Sequence, residues 1–306
     1  MEMTRRTFRI PLRVRFRRVT ERTGVLLHGP AGWGEFSPFP EYGARVAAPW
    51  LACALEAACG SWPEAVRDTV PVNSIIPAVA PATAHAMTLA AGCSTAKVKV
   101  AEGDDEARVE AVRDALGTEG RIRIDVNGAW DVDTAVRNIG VLARYGLEYV
   151  EQPVATLEEM AELRRRVDVP LAADESVRTA DDPLRVKGLD AADIVVLKVQ
   201  PLGGVRRALE VAEAAALPAV VSSAVETSVG LAAGLALAAA LPELPYACGL
   251  GTASLLAGDV VADPLMPANG ALAVRRPTVD EDALASYETV DDTLLARMAA
   301  AKKLLS

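Results

Sequence analysis

Two lysines occupy alternate positions in the short run AKVKV at residues 96–100. The run is otherwise apolar and partly β-branched, which is typical of a buried strand, and a strand directs residues i and i+2 to the same face. Lys97 and Lys99 are therefore expected to place two ammonium groups in one small space. A strand with one solvated face shows the same pattern, so the pair indicates a site only if other ionisable residues accompany it.

Other ionisable residues stand near the ends of the apolar runs that follow. Asp125 lies in RIRIDVN, Glu151 in EYVEQPV, Asp174 in PLAADES and Lys198 in DIVVLKVQ. If these runs are consecutive parallel strands of a barrel, their C-terminal ends converge and the charged side chains share one cavity. Two alternatives stay open at this point: solvated strand ends, and a buried salt-bridge network without chemistry.

The types of these residues indicate metal-assisted proton transfer. Three carboxylates that face one another repel strongly at low dielectric unless a cation joins them, and hard oxygen ligands favour Mg²⁺, or Mn²⁺, over zinc. Asp125, Glu151 and Asp174 are therefore the predicted metal ligands. A lysine near a divalent cation and a second ammonium has a lowered pKa, so Lys99, with Lys97 beside it, is the predicted base. A base beside Mg²⁺ suits abstraction of a proton α to a carboxylate, where an enediolate develops.

Strands and helices alternate from about residue 70. Single helices between the apolar runs imply parallel pairing through right-handed crossovers, and one of these helices begins at a capping box, Thr156 with Glu159. Repetition of this unit favours closure into a barrel, with an open doubly wound sheet as the alternative. The eight predicted strands are VPVNSII (70–76), AKVKV (96–100), RIRIDVN (121–127), EYVEQPV (148–154), PLAADES (170–176), DIVVLKVQ (193–200), AVVSSAVE (219–226) and YACGLGT (246–252).

Residues 1–69 and about 265–306 do not follow this alternation. TFRIPLRVRF and RTGVLLHGPAGWGEFS are typical of antiparallel strands, whereas ARVAAPWLACALEAACG and the C-terminal stretch DDTLLARMAAAKKLL are typical of helices. We predict that these two segments form an α+β capping domain over one mouth of a barrel domain at 70–264.

Composition limits the classes of partner. The formal net charge of −9 argues against a nucleic-acid backbone as ligand, and neither a signal-like start nor a membrane-spanning apolar run is evident. The four cysteines have no C-x-x-C spacing, so neither a structural zinc site nor a disulfide framework is indicated. We expect a cytoplasmic enzyme with a small-molecule carboxylate substrate and with no nucleic-acid or membrane partner; the oligomeric state is not predicted.

An ordered set of motifs resembles the muconate-lactonizing-enzyme subgroup of the enolase superfamily over nearly the whole chain. The motifs are KVK at 97–99, DVN at 125–127, EQP at 151–153, ADES at 173–176 and LKVQPLGG at 197–204. The resemblance implies a TIM-like (β/α)₇β barrel with an α+β capping domain. It also implies that Asp125, Glu151 and Asp174 bind Mg²⁺, that Lys99 is the acid/base, and that Lys198 faces the substrate from the opposite side.

Within that subgroup, the last predicted strand distinguishes the families. It carries Gly249-Leu250-Gly251-Thr252 where dipeptide epimerases commonly have Asp-x-Asp, and with SSAVETS at 222–228 it resembles the o-succinylbenzoate synthase family. The composition, rich in Ala, Arg and Val, is typical of the actinobacterial members. The resemblance implies syn dehydration of 2-succinyl-6-hydroxy-2,4-cyclohexadiene-1-carboxylate in menaquinone biosynthesis. The alternatives are an N-succinylamino-acid racemase, a muconate-type cycloisomerase and a non-catalytic binding barrel.

Contacts with the substrate are predicted at the last two strands and in the cap. The succinyl tail is expected to be held by hydroxyl or backbone N–H groups of Ser222, Ser223 and Gly249. GWGEFSPFPEY (32–42) resembles the mobile cap loop, with aromatic residues that either exclude water or pack inside the cap: Phe36, Phe39 and Tyr42. Asn127 is expected to support Asp125.

Overall fold

An antiparallel meander and one long helix form the N-terminal part of the computed structural model, which describes residues 3–178 and 182–305. The strands are β1 (Thr4–Phe16), β2 (Val19–Gly29) and β3 (Gly32–Phe36), paired in that order. Helix α1 (Ala44–Cys59) packs on β3. Its buried face forms an apolar cluster with Val25, Leu27 and Phe36 of the sheet.

Strands and helices alternate through the middle of the chain, as predicted. In chain order they are β4 (Thr69–Pro71), β5 (Ser74–Ile76), α2 (Pro81–Ala91), β6 (Thr95–Lys99), α3 (Asp105–Leu116), β7 (Arg121–Asp125), α4 (Val132–Leu142), β8 (Leu147–Glu151), α5 (Leu157–Arg164), β9 (Leu171–Ala173), α6 (Asp182–Gly188), β10 (Ile194–Lys198), α7 (Val199–Leu202), α8 (Val205–Ala215), β11 (Ala219–Ser222) and α9 (Ser228–Ala240). Strands β5 to β11 form one parallel sheet in sequential order. Sequential order without a reversal is that of a barrel and excludes the doubly wound alternative.

The predicted eighth strand is not a regular strand. Cys248 forms a single parallel bridge with Val72, just before β5, and Gly249 forms another with Ser222 of β11. A Cβ on Gly249 would lie 2.6 Å from the Ser222 hydroxyl, so the close approach requires glycine. Glycine also weakens regular strand pairing. This short segment nevertheless joins the two edges of the sheet and closes the barrel.

The first predicted strand, 70–76, divides into two short strands. Only β5 belongs to the barrel, whereas β4 pairs antiparallel with β12 (Ala271–Ala273) near the C-terminus. Two further helices, α10 (Glu281–Ala285) and α11 (Asp292–Lys302), complete the chain, and α11 packs on α1. The division into a cap at 1–69 and about 265–306 and a barrel at 70–264 stays a prediction.

Helix boundaries follow the signals in the sequence. Thr156 and Glu159 form the predicted capping box at the start of α5. The helix α4 continues as one 3₁₀ turn and ends at Gly146, whose φ of 69° is left-handed. Helix α9 is buried along almost its whole length, as its run of Ala, Gly and Leu predicts. Among the described residues, no helix combines the length and the apolar character needed to cross a membrane.

A buried carboxylate joins the N-terminal sheet to the barrel. Glu35, on β3, accepts hydrogen bonds from the hydroxyl of Ser37 at 2.6 Å, from the N–H of Gly230 at 3.0 Å and from the hydroxyl of Thr227. Thr227 caps α9 and Gly230 lies in its first turn, so the carboxylate lies at the positive end of the helix dipole. Burial raises the pKa of Glu35 to about 7.

We expect Glu35→Gln to reduce the pH dependence of stability. Because the pKa of Glu35 is raised in the folded protein, the folded state binds more protons than the unfolded state between about pH 4.5 and 7. The free energy of unfolding of the unmodified protein therefore falls as pH rises through this window, with a contribution from Glu35 on the order of 3 kcal/mol. Urea denaturation at pH 5 and pH 8 should show a smaller fall for Glu35→Gln.

The control for this measurement is Glu213→Gln, which removes an exposed carboxylate on α8. It should leave the fall in stability between pH 5 and pH 8 unchanged. An equal fall in Glu35→Gln and in the unmodified protein would show that Glu35 does not titrate as the structure indicates.

Candidate active site at the mouth of the barrel

The predicted lysines and carboxylates meet at the C-terminal ends of five adjacent strands. The sheet register pairs Lys99 with Asp125 and Asp125 with Glu151, so their side chains lie in neighbouring positions. All six are buried or nearly so. Their positions are Lys97 and Lys99 on β6, Asp125 at the end of β7, Glu151 at the end of β8, Asp174 directly after β9, and Lys198 at the end of β10.

Lys97 is held by two carboxylates. Its Nζ lies 2.9 and 3.1 Å from the two carboxylate oxygens of Glu151, and 3.2 Å from Oδ2 of Asp125. Burial by itself lowers the pKa of Lys97, but the negative charges of Glu151 and Asp125 outweigh burial and raise the pKa above its usual value. Lys97 is therefore a permanent positive charge in the site.

The pKa of Lys99, in contrast to that of Lys97, is lowered. Its Nζ lies 2.5 Å from Oδ2 of Asp125 and also donates a hydrogen bond to Oδ1 of Asn127. Burial lowers the pKa of Lys99; the charge of Asp125 opposes this effect and the charge of Lys97 adds to it. The sequence predicted the lowered pKa and named a nearby divalent cation and the ammonium of Lys97 as its sources. In the structure, burial is the larger cause and Lys97 is a secondary one.

The three carboxylates influence one another electrostatically. Burial raises the pKa of Glu151, and the negative charges of Asp125 and Asp174 raise it further. Burial acts in the same direction on Asp125, but Lys99 and Lys97 outweigh it and lower the pKa of that carboxyl. The three acids therefore lie close enough to repel, and the surrounding cations hold them together.

Arg178 is a cation of this site that the sequence analysis missed. It follows β9, and its Nη2 lies 3.0 and 3.1 Å from the two carboxylate oxygens of Asp174 and 3.2 Å from Glu175. Lys198 donates a further hydrogen bond to Asp174. Although burial raises the pKa of Asp174, Arg178 and Lys198 outweigh it and lower the pKa. In the motif ADESVR, Arg178 follows Asp174 by four residues, but it has no strand-end position that would single it out.

The donor set fits a hard divalent cation. Within residues 3–178 and 182–305, no three His, Cys, Asp or Glu side chains are placed so that they could hold a metal ion. Each of the three carboxylates lies instead beside a lysine or arginine side chain. The chemistry of the set is nevertheless that of a magnesium-type site: three buried carboxylates on successive strands, whose mutual repulsion a divalent cation would relieve. We therefore keep Asp125, Glu151 and Asp174 as the candidate ligands.

A small cavity of about 20 Å³ lies between the charged residues and the N-terminal hairpin, with room for about one water molecule. Its roof consists of Phe16, Arg17 and Phe39, and its floor includes Lys97, Lys99, Asp125, Asn127, Lys198, Ser222 and Ser223. A larger cavity of about 570 Å³ adjoins it and shares Phe16, Arg17, Lys99 and Asn127 with it. Lys99 thus lies where the inner cavity meets the outer one.

The three residues predicted to contact the substrate from the last strands, Ser222, Ser223 and Gly249, differ in their surroundings. Ser222 and Ser223 line the inner cavity. The hydroxyl of Ser223 donates to the carbonyl of Gly249 at 3.1 Å and lies 2.7 Å from the hydroxyl of Thr252. The N–H of Gly249 donates to the carbonyl of Val221 at 2.8 Å. That donor is used to close the barrel, so a backbone N–H contact from Gly249 to a ligand would require this hydrogen bond to break, and the contact of Gly249 with the substrate stays a prediction.

The aromatic residues of the cap divide between two environments. Phe36 is fully buried in the cap cluster, as the packing interpretation predicts. Phe39 lines the inner cavity, and Tyr42 lines a separate cavity beside α1. Phe16, at the end of β1, and Arg17, in the turn between β1 and β2, were missed. Arg17 and Arg18 both have positive φ values, 48° and 68°, without the glycine or asparagine that marks such a turn in a sequence.

Asn127 supports the site in the manner expected from the sequence. Its N–H donates to Oδ1 of Asp125 at 3.2 Å, and its Nδ2 donates to Glu175 at 3.1 Å. Its Oδ1 accepts from Lys99. The side chain therefore fixes the orientation of Lys99 as well as that of Asp125, although only the second was predicted.

We expect Lys97→Met to be strongly destabilising in metal-free buffer. The substitution leaves Glu151 and Asp125 buried beside an apolar side chain, and removal of one partner of a buried ion pair typically costs about 3–5 kcal/mol. Urea denaturation at pH 7.5 in the presence of a chelator measures the change. The control, Arg166→Met, removes a half-exposed arginine that pairs with Asp133 and Glu162, and it should have little effect. Equal effects of the two substitutions would show that the buried pair does not contribute as described.

Models of two protein families match this chain. Residues 7–58 match the family described as Enolase N-terminal domain-like, and residues 80–278 match Enolase C-terminal domain-like. Together these matches cover most of the N-terminal sheet and of helix α1, and the barrel from α2 onwards.

Curated relatives are similar over nearly the full length. The chain is 65% identical to the o-succinylbenzoate synthase of Thermobifida fusca over 305 residues, which is 98% of this chain and 96% of the relative. It is 53% identical to the o-succinylbenzoate synthase of Mycolicibacterium smegmatis, over 90% of this chain and 87% of the relative.

Solved structures share the fold at lower identity. The 2-chloromuconate cycloisomerase from Rhodococcus opacus 1CP has a TM-score of 0.82 at 24% identity, over 94% of this chain and 99% of that one. The muconate lactonizing enzyme from Pseudomonas fluorescens has a TM-score of 0.81 at 23% identity, over 94% and 98%. At these identities the neighbours support the barrel with its capping domain and carry no argument about the substrate.

Proposed function

The chain belongs to the enolase superfamily, and on this premise we propose that it dehydrates 2-succinyl-6-hydroxy-2,4-cyclohexadiene-1-carboxylate to o-succinylbenzoate, as a lyase of menaquinone biosynthesis. The structural observation that carries the proposal is the pair of lysines, Lys99 and Lys198, on two sides of a buried carboxylate set at the barrel mouth. The relatives named o-succinylbenzoate synthase support the choice of reaction within the superfamily.

The reaction needs one acid/base group on one face of the substrate. Lys99, as the free amine, removes the proton from the carbon next to the ring carboxylate, and the C–H electron pair moves into an enediolate. When the C–O bond breaks, Lys99, now an ammonium, returns the proton to the departing hydroxide, so the products are the aromatic acid and one water. Lys99 suits this role because it lies at the junction of the two cavities and is fixed by Asp125 and Asn127.

Lys198 and Lys97 have electrostatic roles in this proposal. Lys198 lies beside Ser222 in the sheet register and faces the cavity from the side opposite β6, so its ammonium stabilises the negative charge that develops on the substrate. Lys97 is held by Glu151 and Asp125 and keeps them in place. Of the two lysines of β6, Lys99 thus transfers the proton and Lys97 supports the carboxylates.

Members of the superfamily use a divalent metal, and we propose Mg²⁺, with Mn²⁺ as a substitute, held by Asp125, Glu151 and Asp174. When bound, the cation supplies positive charge to the substrate carboxylate as the α-proton leaves. The remaining contacts belong to the chain itself. Ser222 and Ser223 are proposed to contact the succinyl tail, and Phe16 and Phe39 to exclude water from the cavity.

The proposed compartment is the cytoplasm and the proposed partner is the small-molecule substrate alone. All four cysteines are free thiols, which fits a reducing compartment. A racemase or a cycloisomerase would use the same lysines and the same carboxylates. The relatives above 50% identity favour dehydration, whereas the solved cycloisomerase neighbours lie below 25%.

The direct test of the function is the ultraviolet absorbance of the cyclohexadiene substrate. With protein and Mg²⁺, we expect this absorbance to disappear as the aromatic acid forms; a chelator should stop the reaction and Mn²⁺ should restart it. No change in absorbance would defeat the substrate assignment. Incubation of an N-succinylamino acid in D₂O provides the competing test, since α-deuteration with inversion, without dehydration of the diene, would identify a racemase instead.

The role of Lys99 is tested by Lys99→Ala. Because general acid–base catalysis contributes roughly 10²- to 10⁴-fold to a rate, we expect kcat to fall by at least about 10²-fold while circular dichroism shows a folded protein. Lys302→Ala, which removes an exposed lysine on α11, should retain full activity. Retention of full activity by Lys99→Ala would remove that residue from its assigned role without affecting the reaction assigned to the protein.

A further inference from the structure

A second cavity lies at the seam between the capping helix α1 and the barrel. Its volume is about 480 Å³, and it is bounded by α1, by the segment that follows β9, and by α7 and α8. Its walls are apolar and partly aromatic, with Val46 and Trp50 on one side and Leu202 on the other. None of the six residues discussed as catalytic groups or metal ligands lines it, so it is distinct from the active-site cavity.

Three arginines line this cavity: Arg45, Arg178 and Arg207. Arg45 makes no hydrogen bond or ion pair with any residue that the structure describes. Arg207 pairs only with Glu210, on the surface of its own helix. In a chain with a net charge of −9, three guanidinium groups around one apolar cavity create a local region of positive potential, which favours an anionic ligand.

Two buried N–H groups of the lining residues have no acceptor. They are Nε1 of Trp50, a residue that is only 1% exposed, and Nε of Arg178. A buried donor without an acceptor is unfavourable in a folded protein, and such groups are normally satisfied by the protein, by water or by a ligand. Neither N–H has surface that is accessible from the cavity, so the donors available to a ligand there are the other N–H groups of the lining arginines.

We propose that this cavity is a second binding site, for a small carboxylate with an aromatic or otherwise apolar body. The apolar walls receive the body of the ligand, and the guanidinium groups receive its carboxylate. Arginine is suited to this role because its planar fork binds a carboxylate through two parallel hydrogen bonds. The ring of Tyr42, which lines the cavity, offers a surface on which an aromatic body can pack.

Arg178 connects this cavity to the active site. It lines the cavity, and its Nη2 at the same time binds both carboxylate oxygens of Asp174. Asp174 is one of the proposed metal ligands, so this step rests on the proposed function. A guanidinium on Asp174 opposes the binding of a divalent cation there, by repulsion and by occupation of the carboxylate oxygens. A carboxylate in the cavity competes with Asp174 for Arg178 and neutralises its charge.

The two sites are therefore positively coupled. By thermodynamic linkage, a carboxylate that draws Arg178 away from Asp174 increases the affinity for the divalent cation, and the cation increases the affinity for the carboxylate by the same factor. A factor of about five or more is expected, since coupling between distinct sites typically spans roughly 5- to 150-fold.

The experiment uses benzoate as the probe and binding as the readout. Calorimetry and tryptophan fluorescence measure the affinity for benzoate in chelator-treated protein, and calorimetry measures the affinity for Mg²⁺ with and without saturating benzoate. We expect saturable benzoate binding, weaker binding of inorganic phosphate because it lacks an apolar body, and an affinity for Mg²⁺ that benzoate raises by about fivefold or more.

Variants of the cavity locate the binding. Val46→Trp fills the cavity from a half-exposed position, and Arg45→Gln removes a cation that has no partner in the described residues. Each should weaken benzoate binding by about tenfold or more and should abolish its effect on Mg²⁺. Arg5→Gln, an exposed arginine on β1 outside the cavity, should change neither. Arg178→Gln should bind Mg²⁺ more tightly than the unmodified protein, and benzoate should no longer alter that affinity.

Specific results would overturn the proposal. Absence of saturable benzoate binding, or equal binding in Val46→Trp, Arg45→Gln and the unmodified protein, would show that the cavity is not the site. Benzoate binding in the cavity with no effect on Mg²⁺ would refute the coupling through Arg178. Since the diene assay tests the function without benzoate, normal dehydration together with any of these results would refute this inference alone.

Discussion

The charged groups buried at the mouth of the barrel depend on one constraint, which is local charge balance. Three carboxylates and Glu175 are enclosed with three lysine side chains and the guanidinium of Arg178, and each carboxylate lies within hydrogen-bonding distance of a lysine or arginine nitrogen. Parallel strands in sequential order supply the spacing that this balance requires, because the register places Lys99, Asp125 and Glu151 in neighbouring positions at the strand ends. A divalent cation would change this balance. It would compete for the carboxylates with the side chains that contact them in the structure: Lys99, Lys198 and Arg178.

The capping region contributes to the same site through buried polar contacts. Arg22, fully buried on β2, donates to the carbonyl of Val225 after β11 at 3.1 Å and also to the carbonyl of Ser37, and its guanidinium lies 4.2 Å from the centre of the Phe39 ring. Glu35 binds the first turn of α9 from the same sheet. These contacts position Phe39 and the β1–β2 turn over the inner cavity, so the roof of the site depends on hydrogen bonds made at the rim of the barrel and not on apolar packing alone.

Much of this arrangement could be predicted from the sequence, because alternation of short apolar runs with capped helices determines strand order and strand order determines which side chains meet. Lys97, Lys99 and Asp125 follow from that reasoning. The irregular form of the eighth strand could not be predicted. It joins its neighbours through two isolated bridges, at Cys248 and Gly249, and such bridges produce no periodic pattern in the sequence. Arg178 was missed because its role depends on the path of the chain after β9. Phe16 and Arg17 were missed because a hairpin turn with positive φ at two arginines has no sequence signature.

Depth along a single strand explains how two lysines two residues apart acquire different properties. Lys97 lies deeper in the barrel and contacts both carboxylate oxygens of Glu151 as well as Asp125, so the charges around it outweigh burial. Lys99 lies nearer the mouth, where it contacts one carboxylate, Asp125, and the amide oxygen of Asn127, and its Nζ lies 5.4 Å from the ring centre of Phe16. At Lys99 burial outweighs the attraction of Asp125 and of Glu151 and favours the neutral amine. Because the two lysines lie two residues apart on β6, they reach different depths and meet different numbers of carboxylates. Lys97 therefore keeps its proton, whereas Lys99 can exchange one.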